Sequence, residues 1–186
     1  MAHYSAERSL GARVAAARRA RGFRTLKELA SAMEGTGLTA AVLQNIELDR
    51  RTNIDVTHIL NLAKTLGVPV SHLLAPMARP GDAVDLPNLI PDLTNMSAAE
   101  FDAWLSSVPN TDYVADSADE RNDRAELQAL RELQAARREL RRLETTAQLE
   151  HDQPQELRDN SRAQRELIRT RIEGLRKFLI SVDWDV

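Results

Sequence analysis

Side chains able to do covalent or metal chemistry are few in this sequence of 186 residues. Cysteine is absent, which removes disulfides, thiolate nucleophiles and Cys-ligated zinc or iron–sulfur centres, and fits a reducing compartment. The four histidines, His3, His58, His72 and His151, stand apart, and no two share metal-ligand spacing with a carboxylate. His58 and His72 are expected on helix surfaces, and Phe101 and Trp104 against a helix rather than in a ligand cage. No catalytic residue, metal site or cofactor is therefore expected. What remains is recognition, and the raw material for it is Arg, which outnumbers Lys 22 to 3. That bias also fits a GC-rich genome.

The formal charge of −3 hides a strong partition. Residues 1–78 carry 10 basic and 6 acidic side chains, residues 79–116 carry 1 and 7, and residues 117–186 carry 14 and 15. A basic head is thus followed by an acidic stretch and a nearly neutral, highly charged tail. The length suits one domain of ordinary size or a small domain with an appendage. No basic-then-apolar leader is expected at the start, and no apolar run approaches the ~18 residues that would span a bilayer, so a cytoplasmic protein without membrane contact is expected. Aromatics make up 4% while Ala, Leu, Arg and Glu dominate, a composition that favours helices and an all-α fold.

The elements that must position any site follow from periodicity and caps. Leu10, Val14 and Ala17 recur at helical spacing up to Gly22. Thr25 and Glu28 form a capping box for a second helix that runs to about Met33. After a glycine-bearing turn, Thr39 caps a third over Ala40–Leu48, with Leu43 and Ile46 facing inward. Asp55 caps a fourth, Val56–Leu66, whose stripe is Val56, Ile59, Leu60, Ala63 and Leu66 and whose stop is Gly67. Pro69 opens a last short turn of helix. Residues 79–96, rich in Pro and Asp, read as a linker between a domain at 1–78 and a helical region at 97–186. In that region Ser97 and Glu100 box a short helix, and a break follows at Asn110–Ala118. A charged helix from about Ser117 to Glu150 carries Leu127, Leu130, Leu133, Leu140 and Leu143. Beyond His151–Pro154, the series Ile168, Ile172, Leu175, Leu179 and Val182 steps by 4, 3, 4, 3, a heptad seam. The two long helices are expected to fold back as an antiparallel, coiled-coil-like hairpin, ending near Ser181 with an extended tail.

Two short helices joined by a glycine-bearing turn inside a run of five are the arrangement of a DNA-binding helix-turn-helix. Residues 10–75 resemble the lambda-repressor-like, or XRE, helix-turn-helix family in the strings Arg18-Arg19-Ala20-Arg21-Gly22, Leu29-Ala30, Leu38-Thr39, Asn45-Ile46-Glu47, Arg50-Arg51 and Leu62–Val68. The resemblance implies that the helix beginning after Thr39 enters the major groove of double-stranded DNA, with Thr39, Ala40, Ala41, Gln44 and Asn45 as base readers. The amides of Gln44 and Asn45 can pair with adenine, while Ala40 and Ala41 can only touch a thymine methyl. It further implies phosphate contacts from Arg24, Thr25, Lys27, Arg50, Arg51 and Asn53, and a structural ion pair between Arg18 and Glu47. The sequence departs from the family pattern at Leu26, where a glutamine is usual, in the longer turn Glu34–Leu38, and at Asp49, where a glycine is usual.

Many repressors of that family carry a self-cleaving protease domain, but this C-terminal half is helical and holds Lys177 as its only lysine. The expected function is a sequence-specific transcriptional repressor of phage-immunity or mobile-element type, dimerising through the seam Ile168, Ile172, Leu175, Leu179 and Val182. The alternative is an antitoxin or another interaction protein whose hairpin binds a different protein. A third reading closes the hairpin on itself alone.

Overall fold

The computed structural model describes residues 3–51, 53–109, 111, 113–147 and 155–186. These form an all-α protein with no strand among the described residues; a single isolated bridge pairs Ala83 with Ser97. Two compact units are distinguished, Met1–Tyr113 and Val114–Val186.

The first unit begins with a 3-10 turn, Tyr4–Ala6, and then α1 (Leu10–Ala20), α2 (Leu26–Ser31), α3 (Ala40–Glu47), α4 (Val56–Leu66) and α5 (Val70–Leu74). Their inward residues make one core, in which Val14, Ala17, Leu29, Leu43, Ile46, Leu62 and Leu73 are almost wholly excluded from solvent. The local signals act as chemistry requires: Gly22 and Gly67 take positive φ at the ends of α1 and α4, where a Cβ would be strained. On α4, however, the buried stripe is Ile59, Leu62, Ala63 and Leu66, whereas the expected Val56 and Leu60 are 70% and 49% exposed. Both stripes satisfy helical spacing, and the core selects the one that brings Leu62 inward. Asp55 stands at the N-cap of α4 but makes no capping hydrogen bond; its carboxylate lies instead 3.5 Å from Arg51 and 3.6 Å from His58.

Residues 79–96, expected as a linker, fold against the head. They contain α6 (Pro91–Thr94) and lead into α7 (Ala98–Ser106), which opens with the Ser97–Glu100 capping box. Val84 is buried with Ala75, Ala98 and Phe101, and Leu86, Leu89, Leu93 and Met96 pack around them. The division of the chain therefore falls at Tyr113/Val114 and not at either end of that segment. The apolar residues spaced among its prolines supply the reason, together with Asp85, which reaches a buried arginine.

That arginine is Arg13, wholly buried on the inward face of α1. Its Nε donates to the Leu73 carbonyl at 2.8 Å, its Nη1 to the Glu7 carbonyl and to Asp85, and its Nη2 to the Leu74 carbonyl and to Asp85 at 2.6 Å. Burial pushes the Asp85 carboxyl up, but the Arg13 guanidinium and the Ser9 amide outweigh it and hold the group below its ordinary value. One charged group thus pins the N-terminal turn, the end of α5 and the 79–96 segment together.

The second unit holds α8 (Ala118–Ala147) and α9 (Gln155–Ser181) packed along each other. Glu144 meets Arg169 at 2.8 Å, Glu132 meets Arg171 at 2.9 Å, and Glu126 accepts from the Trp184 indole at 2.7 Å. Later residues of α9 meet earlier residues of α8, so the pair is antiparallel. Leu133 and Leu179 are fully buried with Ala129, and Leu130, Ile172 and Leu175 pack around them. The chain does not run on extended after Ser181. Asp183, at φ 65°, closes α9: the Trp184 amide donates to the Leu179 carbonyl and the Asp183 amide to that of Ile180. Trp184 and Val186 return to the hairpin core, which is why apolar residues alternate there. The expected break at His151–Pro154 and the end of the helix at Glu150 lie outside the described residues, as does His151 itself.

Candidate nucleic-acid interface

α2 is made by its cap. Thr25 Oγ1 accepts from the Glu28 amide at 3.1 Å, and the Glu28 carboxylate accepts in return from the Arg24 amide at 2.8 Å and the Thr25 amide at 3.4 Å. Those two amide bonds, Arg24's first, hold Glu28 below the ordinary carboxylate range, so it stays ionised. The Thr25 amide is therefore already engaged within the cap, which leaves the Thr25 hydroxyl as the group that could donate to a phosphate. Leu26 packs half-buried against the core.

The turn from α2 to α3 uses Gly35 and Gly37 at φ 83° and 77°, and the Thr36 hydroxyl donates to the Met33 carbonyl at 2.6 Å. Leu38 is buried and seats the turn on the core. Thr39 then caps α3, its oxygen accepting from the Val42 amide at 3.3 Å. Leu43 and Ile46 face inward, while Thr39, Ala41, Gln44 and Asn45 are exposed and Ala40 is half-buried. All five expected base readers thus lie at the start or on the outer side of one helix.

The last turn of α3 is fixed by an ion pair. Arg18 Nε donates to Glu47 Oε1 at 2.7 Å and Nη2 to Oε2 at 3.0 Å, with both side chains about nine-tenths buried. Arg18 also donates to the Phe23 and Arg24 carbonyls, so one guanidinium sets α3 against the entry to α2. The Glu47 hydrogen bond holds the Arg18 guanidinium above its already high pKa, outweighing the opposing effect of burial.

Beyond α3, Asp49 takes φ 52°, the left-handed value that short polar side chains tolerate. Its carboxylate accepts from the Ser9 hydroxyl at 2.6 Å and the Gly11 amide at 3.1 Å, which ties α1 to the end of α3. Gly11 is required there, because a Cβ would press on the Ile46 carbonyl oxygen and on Asp49. Arg24, Lys27, Arg50 and Asn53 have exposed side chains. Arg51 is less open: it donates to the Asn53 carbonyl at 3.0 Å and pairs with Asp55.

Arg13, Asp85 and the Asp49 link escaped the sequence reading. Arg13 did leave a signal, a charge sitting on the apolar stripe of Leu10, Val14 and Ala17; its partner, 72 residues away, left none. The two central histidines are also less exposed than a helix-surface placement implies. His72 is half-buried with its Nδ1 3.1 Å from the Tyr4 hydroxyl, and the His58 side chain is only 13% exposed. No group of three or more metal-ligating side chains exists among the described residues.

No protein-family model matches this chain, and no curated protein or solved structure matches it either. Any functional reading therefore rests on the residues and their placement.

Proposed function

We propose that the protein is a cytoplasmic, sequence-specific transcriptional repressor that binds double-stranded DNA through α2 and α3. The observation that carries this reading is the outer side of α3: Gln44 and Asn45 present amides to solvent on a helix rigidly seated by Leu43, Ile46 and the Arg18–Glu47 pair. Exposed Arg24, Lys27 and Arg50 flank it, the residue types that meet phosphates. With few hydrogen-bonding readers on α3, specificity draws also on duplex shape and on a second half-site supplied by a second copy. The test is anisotropy of the full chain on duplexes from beside its own gene. Affinity should fall at least tenfold as salt rises from about 50 to 200 mM; affinity independent of salt would remove the phosphate contacts and the reading with them.

A second reading is favoured by the hairpin. Ile168 and Leu179 of the expected dimer seam are buried within it and Ile172, Leu175 and Val182 half-buried, while Leu167 (71% exposed) and Phe178 (43%) share another face of α9. A second copy would have to use the open side of the seam, whereas the face of Leu167 and Phe178 suits a different protein, as in an antitoxin. Sedimentation of the full chain separates these. A dimer at about 10 µM supports self-assembly, and a monomer at that concentration leaves the hairpin for another partner.

A further inference from the structure

The folding of residues 79–96 onto the head creates a cleft beside the loop that leaves α3, with Arg51, one of the expected phosphate contacts, on its edge. It has a volume of about 420 Å³, within the range of small-molecule sites. Its floor is apolar, made by Leu10 of α1, Ile54 after α3, Leu74 of α5, and Leu86 and Leu89 of the folded-back segment; the first of these is about nine-tenths buried. Its polar rim is Ser9, Asp49, Asp85 and Arg51.

The rim charges are not equivalent. Asp85 is neutralised by the buried Arg13, and Arg51 is paired with Asp55. Asp49 is bonded only by neutral donors among the described residues, the Ser9 hydroxyl and the Gly11 amide. The site therefore combines an apolar floor with one carboxylate that has no cationic side chain to balance it, and a carboxylate has lone pairs to spare after two hydrogen bonds.

We propose that this cleft binds a small organic cation, an apolar body carrying one ammonium group, with the body against Leu10, Ile54, Leu74 and Leu86 and the ammonium on Asp49. A ligand seated there spans two segments at once, the loop that leaves α3 and the segment that covers it. Occupancy would restrain the loop carrying Arg50, Arg51 and Asn53; that consequence, unlike the binding itself, rests on the DNA reading above.

The test uses the full chain without DNA and three probes of one shape: phenethylammonium, the neutral 2-phenylethanol and the anionic phenylacetate. Binding is followed by NMR shifts of the Leu10, Ile54, Leu74 and Leu86 methyls. Phenethylammonium should saturate with a Kd of about 1 mM, an affinity ordinary for a ligand of that size. The alcohol should bind at least fivefold more weakly and phenylacetate not at all. Asp49→Asn should remove the preference for the cation. Because Asp49 also ties α1, Leu89→Trp serves as a second variant that fills the cleft without touching that link, and it should abolish binding of both the cation and the alcohol. Equal affinity for cation and alcohol, shifts that do not saturate, or undiminished binding to Leu89→Trp would overturn the proposal. Because no DNA is present, its failure leaves the DNA reading standing, and failure of DNA binding leaves the cleft's ligand intact.

Discussion

Arg18 and Glu47 illustrate how much single residues decide in a head this small. Both are buried, so replacing one strands the other's charge away from water. Arg18→Met should cost about 3–5 kcal/mol in urea denaturation, and adding Glu47→Leu should recover much of it, because the burial of an unpaired charge is the larger part of the loss. An additive double variant would mean that Arg18 acts mainly through the Phe23 and Arg24 carbonyls instead. A second residue-scale expectation concerns acid. Burial, then the proximity of His3, hold the His72 pKa below 6.5, with Asp102 opposing weakly. The unfolded chain therefore binds a proton there more readily than the folded one, and stability rises with pH. The contribution from His72 is fully present above about pH 6.5 and is lost as pH falls through the lower folded-state value. Tm measured between about pH 7 and 5 should drop, and the drop should shrink in His72→Phe; an unchanged profile in that variant would assign the acid sensitivity to other groups.

At the scale of elements, the tightest constraint is the meeting of α1 with the end of α3. Gly11→Ala should destabilise the head by about 1–3 kcal/mol, read as a lowered Tm, since the backbone carbonyl of Ile46 has nowhere to retreat without breaking the Asp49 link. Wild-type stability in that variant would show that α1 can slide. Elements of this kind divide sharply in what a sequence reveals. The capping boxes at Thr25/Glu28 and Ser97/Glu100, the stop at Gly67 and the heptad steps of α9 are local patterns, set by contacts three or four residues apart, and each was legible. The rotation of α4 was not, because Val56–Leu60 and Ile59–Leu62 fit helical spacing equally well and only the shape of the core chooses. The 79–96 segment looked like a linker for the same reason. Its prolines are visible locally, while its attachment depends on Asp85 meeting Arg13 across 72 residues. For the candidate interface, the exposed side of α3 was legible from Leu43 and Ile46. The engagement of the Thr25 amide by Glu28 was implicit in the capping box, whereas the redirection of Asp49 toward Ser9 and Gly11 was not visible at all.

For the whole molecule, folding changes what the charge count means. Residues 1–78 carry a surplus of positive charge, but the compact unit reaches Tyr113 and brings the acidic segment with it, so its 11 basic side chains face 12 acidic ones. No strong overall field draws this unit to DNA. Under the proposed function, attraction comes from a few exposed cations set around α3, and sequence preference from Gln44 and Asn45 within it. Selection of bound duplexes from a random pool by the full chain tests that claim most directly. Wild-type protein should enrich a common sequence, and Gln44→Ala combined with Asn45→Ala should still bind duplex but lose the enrichment; enrichment of the same sequence by the double variant, or of none by the wild type, would contradict the account.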